Sequence, residues 1–362
     1  MRIATFSNFI YKAFNLEILK NSRLPWVDYL KGLAIILVVY RHVFYGIQRS
    51  GIVIPDLLVT TNMLFHSFRM PLFFILSGLF ISKSIQKRKI SELIELKFEK
   101  LLYPYFIWVF LQITFQLIFS NLTNADRSLI QYTYIFYQPK NLDQFWYLPA
   151  LFNVTIFFIL FKIKYNPNFL FQFILGLTFY FLSPYFHSIS IISDFMEYYI
   201  FFVFGDYLAK FFFKRAVQNV FSNSFFLLFV IPFFVFSQLY YLRYDEYYYL
   251  NDFFGKIKFL FIVVTGCLFI TILAFHFQKW NIFKFIRLLG FHSLQIYVMH
   301  VFAAAVNRLF FTKVVGVYDP TILILTGISV SLIIPLVVYN LFIKDGFLWF
   351  LFTYKKVKRN VN

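Results

Sequence analysis

Apolar residues run along this chain in long uninterrupted stretches, separated by short clusters rich in lysine. Stretches long enough to cross a bilayer occur at about 29–48, 60–82, 101–120, 145–162, 168–184, 195–213, 224–242, 257–276, 292–312 and 321–343. The pattern predicts an all-α polytopic membrane protein with about ten transmembrane helices. No connection is long enough for a soluble domain, and the longest, 121–144 and 243–256, would at most cover a cavity. Ahead of the first span, Phe6, Phe9, Ile10, Phe14 and Ile18 recur at helical spacing, as expected of an amphipathic helix lying on the membrane surface. The organisation read from this pattern is an interfacial lead-in over 1–28, a transmembrane domain over 29–345 and a basic tail over 346–362.

Composition sharpens the class. Of 362 residues, 60% are hydrophobic and only 14% charged, which excludes an ordinary soluble domain, where about a quarter would be charged. The net charge of +18 would suggest nucleic acid in a soluble protein. Here most basic residues lie in short loops on the N-terminal side of the spans, few (Lys256 and Lys258 among them) lie on the opposite side, and Arg41, Arg69 and Arg308 lie within spans. That bias places both termini in the cytoplasm and leaves no call for nucleic acid. Lys12, Lys20 and Arg23 precede the first span without an apolar run and small-residue site, so a cleaved signal peptide is not expected. The single cysteine, Cys267, excludes an intrachain disulfide and a thiolate cluster, and His42, His66 and His300 lack metal-ligand spacing. Richness in Phe, Tyr, Ile, Lys and Asn points to an AT-rich bacterial genome, and no more.

Candidate chemistry begins in the first span. His42 lies eleven positions after Lys31, on nearly the same helix face and roughly 16 Å further along the axis. In the second span His66 and Arg69 share a face, and Arg69 reaches roughly 15 Å deep, level with His42. Pro71 is expected to disrupt that helix beside them, and freed carbonyls in a membrane need protein or water partners. Arg69 reads either as a tie between helices or as part of a polar cavity, and its neighbours favour the cavity. Lys97 and Lys100, in an amphipathic stretch with Glu92, Glu95 and Glu99, read as orientation charge or as a patch for a polyanionic ligand. Trp146 reads as an interfacial belt residue or a site residue, and His300 as a structural hydrogen-bonding group or a site residue.

Five motifs in order resemble the acyltransferase-3 family of integral membrane O-acyltransferases. They are D-x-L-K-G ending in a histidine (Asp28, Lys31, Gly32, His42), F-R-M-P-L-F-F-x-L-S-G (Phe68 to Gly78), a basic pair before Y-P-Y (Lys97, Lys100, Pro104), F-W-Y-L-P-A-L-F (Phe145 to Phe152) and S-L-x-I-Y-x-x-H (Ser293 to His300). The resemblance implies transfer of an acyl group, often acetyl from acetyl-CoA, to a hydroxyl of a surface polysaccharide or lipid-linked sugar. It also implies partners: the lipid bilayer, acyl-CoA and a glycan acceptor. Under it His42 is the general base, Arg69 stabilises the oxyanion or holds a sugar oxygen, and Lys31, Lys97 and Lys100 receive the CoA phosphates. Asp28 would orient Lys31, while Arg41, His66, Trp146 and His300 would support the site. Lysine stands where the family usually has arginine, both at Lys31 and in the loop, and lysine lacks the bidentate fork for phosphate. Two rivals carry similar buried charges: a transporter or flippase of lipid-linked glycan, and a non-catalytic acyl-binding sensor.

Overall fold

The computed structural model describes residues 2–21, 24–243 and 252–355. Arg23, the side chain of Phe6, part of the 243–256 connection and residues 356–362 of the expected tail lie outside the described residues.

Nine helical segments among the described residues are long and apolar enough to cross a membrane. They are α1 (Pro25–Gln48), α2 (Asp56–Lys87), α3 (Ile90–Ile118), α4 (Asp143–Tyr165), α5 (Phe169–Phe186), α7 (Ser224–Tyr241), α8 (Phe253–Trp280), α9 (Ser293–Val315) and α10 (Pro320–Ile343). The tenth, α6 (Ser190–Phe212), has the length but also Asp194, Glu197, Asp206 and Lys210. Two of its three acids are paired with lysines: Lys140 Nζ lies 2.9 Å from Asp194, and Lys162 Nζ 3.0 Å from Asp206. With no strand among the described residues, the chain is an all-α polytopic membrane protein. Lys256 is also drawn in. Only 2% exposed, it donates to the Tyr180 carbonyl and to Ser183 Oγ instead of serving as a loop charge.

Helix α1 starts on Pro25, whose fixed φ suits a first turn, with Asp28 placed favourably toward the N-terminal dipole. It is packed on all sides, by α2, α8, α9, α10 and a short helix, Lys284–Phe291. Glycines set the two closest crossings. A Cβ on Gly32 would sit 2.1 Å from the Ile286 carbonyl oxygen, and one on Gly290 would sit 1.8 Å from that of Asp28. Between α2 and α6 the contact is reciprocal: Gly78 lies against the Phe202 carbonyl and Gly205 against that of Ile75, each with 2.1 Å for a Cβ. Small residues let helix backbones approach this closely in a membrane.

Two irregularities shape the site. Pro71 does not break its helix, which runs from His66 to Leu79; the break lies upstream at Phe65 (φ −101°, ψ 6°). The proline's missing N–H and ring clash act on the preceding turn, and the chain relieves them just before it. In α3, Pro104 cannot return an N–H to the Lys100 carbonyl, and the ladder slips into a π turn over Phe98–Leu102. The N-terminal helix, Arg2–Phe14, meets α10, where Asn340 donates to the Ala13 carbonyl at 3.0 Å. At the other end of the sequence, Tyr354 donates to Glu95 at 3.0 Å beside a Lys355–Glu95 ion pair.

Candidate active site

Four ionisable groups of α1 and α2, two from each helix, line one cavity of about 1040 Å³. Arg41, His42, His66, Arg69 and Trp146 all contribute to its wall. Position explains the convergence: α1 and α2 enter from opposite ends, and their charged turns meet where neither can face hydrocarbon cheaply.

His42 makes no hydrogen bond among the described residues, and neither of its ring nitrogens is sealed from the cavity. Its ring lies 5.1 Å, centroid to centroid, from that of His300 on α9. His300 is fully buried, and its Nδ1 lies 3.0 and 2.8 Å from the carbonyls of Ile296 and Tyr297. Two acceptors at Nδ1 call for the proton there, leaving Nε2 as a lone-pair acceptor, and that atom has no protein partner. Arg69 is 2% exposed and donates to the Leu37 carbonyl on α1 at 3.3 Å, which ties the two helices together. His66 Nδ1 pairs with the Tyr241 hydroxyl at 2.7 Å, and the Arg41 guanidinium lies 4.6 Å from the Tyr45 ring centroid. Trp146 packs against Tyr198 with ring centroids 5.2 Å apart, while Lys140 lies 5.6 Å from its ring.

The lysines form a separate group. Lys31, Lys97 and Lys100 lie within electrostatic reach of one another, and Asp28 lies within reach of Lys31. None of the four lines the cavity, whose wall on α1 begins at Val38. The cavity wall on α1 thus stops short of Lys31, and Ala34 and Ile35, both 0% exposed, are packed in the stretch between.

Two cavity residues carry no signal in a motif. Glu197 on α6 is 5% exposed and lines the cavity beside Tyr198. Arg308, eight residues beyond His300 on α9, lines it too. A charged residue inside an apolar span was the available signal for both; which way each points depends on packing between distant helices. A second hollow of about 590 Å³, almost wholly apolar, lies among α3, α9 and α10 and shares Phe115, Phe302, Val306 and Asn307 with the main cavity. No cluster of three or more His, Cys, Asp or Glu among the described residues is placed to hold a metal.

A histidine and an arginine facing one cavity inside an all-α membrane bundle define the class, a multi-pass membrane protein with an intramembrane polar site. The family model described as an acyltransferase domain, acyltransferase-3, matches residues 24–340, and the chain belongs to that family. No curated protein and no solved structure matches.

Proposed function

We propose that this acyltransferase is an O-acetyltransferase of the bacterial inner membrane, moving acetyl from acetyl-CoA to a hydroxyl of a surface polysaccharide or lipid-linked sugar. The observation that supports it best is His42 and Arg69 on one cavity wall, with the histidine nitrogens unengaged. His42 takes the acceptor hydroxyl's proton as its oxygen attacks the thioester carbonyl. Arg69 stabilises the tetrahedral oxyanion, and the His300 ring lies 5.1 Å, centroid to centroid, from the imidazolium that forms. Collapse breaks the C–S bond; the CoA thiolate takes the proton from His42, giving ester and free thiol.

With the positive-inside orientation, Lys31, Lys97 and Lys100 meet the CoA phosphates at the cytoplasmic face. The pantetheine arm then has about 10 Å of α1, from Lys31 to Val38, to pass before it enters the cavity. On this reading donor binding parts the side chains packed along that stretch, Ala34 and Ile35 among them. Reconstituted protein given [¹⁴C]acetyl-CoA and an oligosaccharide acceptor should yield alkali-labile label on the sugar. Label that never reaches any sugar contradicts the reading.

A further inference from the structure

The cavity wall holds five cations, and Arg308 is met differently from the two that pair with carboxylates, Arg49 and Lys140. Arg49 lies 3.0 Å from Asp143, and Lys140 lies 2.9 Å from Asp194. Arg308 has no carboxylate partner among the described residues. Its one side-chain bond runs from Nη1 to the Gly46 carbonyl at 2.6 Å, and that oxygen already accepts from Asn124 Nδ2 at 2.7 Å. Gly46 lies in the last turn of α1, where carbonyls lack helical partners, so capping accounts for one N–H. A guanidinium carries five. The remaining four have no protein acceptor among the described residues, although Arg308 is only 8% exposed, and no nitrogen of it is sealed from the cavity.

We infer that Arg308 holds an oxyanion carried by the acceptor, either a carboxylate on the sugar or a phosphate linking the sugar to a carrier lipid. The fork of the guanidinium matches two oxygens of either group. Gly46 is one helical turn beyond His42, about 6 Å along α1. An oxyanion at Arg308 therefore lies about one sugar ring from the hydroxyl whose proton His42 takes, and neutral acceptors forgo this contact. The inference rests on the cavity being the acceptor site of the proposed reaction.

Binding separates the two ideas, because it needs no turnover. The full chain in lipid nanodiscs, without acetyl-CoA, is titrated calorimetrically with three probes: a glucuronic-acid oligosaccharide, the corresponding neutral glucose oligosaccharide, and a prenyl-phosphate-linked glucose. Wild type should bind one anionic probe at least tenfold tighter than the neutral one, and the probe that wins identifies carboxylate or phosphate. Arg308→Gln should erase that preference while neutral binding stays the same. If Arg308→Gln does not fold, Arg308→Lys serves, since a point charge cannot fork across two oxygens and the preference should fall several-fold. No anionic preference in wild type, or a preference unchanged in the folded variant, overturns the inference. Failure of the acyl-transfer reading has a different signature: no alkali-labile acetyl on any probe, whatever binds.

Discussion

At residue scale the site depends on which groups are committed and which are not. His66 is engaged with Tyr241, and Arg69 is anchored on Leu37, whereas His42 keeps both nitrogens open to the cavity. An anchored guanidinium is pre-oriented, so little reorganisation accompanies charge development on a substrate oxygen. Arg69→Gln should lower kcat by about 10²–10³-fold, the usual loss for one oxyanion donor, with acetyl-CoA binding unchanged. Parallel loss of donor binding, by calorimetry, would make Arg69 structural. His42 and Arg69 were legible in the sequence as ionisable residues at equal depth. The apposition of His42 and His300 was not, because 258 positions of chain separate them and only helix packing sets which faces meet. Arg308 and Glu197 were missed as site residues for the same reason.

At element scale the glycines of two motifs have a mechanical meaning. Gly32 and Gly78 sit where helix backbones touch, and their partners Gly290 and Gly205 do the same from the other side. A side chain there forces the helices apart, and overpacking costs about 1–3 kcal/mol or more. Gly205→Leu should lower the thermal midpoint of the detergent-solubilised protein. Gly46→Ala should not, since its Cβ meets nothing nearer than Arg308 Nη1 at 3.9 Å. Equal midpoints for both variants would contradict the crossing argument. Nine spans were readable from hydropathy because each needs only local composition, and α6 was readable by its length and apolar run despite its charges. The helix break at Phe65 was not: a proline marks that a turn is weakened, while the turn that yields depends on neighbouring helices.

At the scale of the whole molecule, polar chemistry is divided between a lysine group and a buried cavity, with packed residues of α1 between them. Charge clusters of this kind act through long-range attraction that salt screens over about 8–10 Å. Lys97→Ala with Lys100→Ala should weaken acetyl-CoA binding several-fold at low salt, and the gap from wild type should narrow as salt rises. Binding unchanged at all salt concentrations would return the lysines to setting orientation. Charge bias was enough to read the grouping of Lys97 and Lys100 from sequence, since it depends on where residues fall between spans, but the sequence suggested a cavity reaching down to Lys31. Where the cavity ends along α1 was not readable, because it depends on side chains from several helices filling one space.

The central claim, that His42 is the base of an O-acyl transfer, is tested most directly by single-turnover transfer from [¹⁴C]acetyl-CoA to an oligosaccharide in nanodiscs, comparing wild type with His42→Ala. General-base catalysis is worth about 10²–10⁴-fold, so the variant should transfer at least a hundredfold more slowly while binding acetyl-CoA with unchanged affinity. A folded His42→Ala variant that transfers acetyl at the wild-type rate would contradict the account.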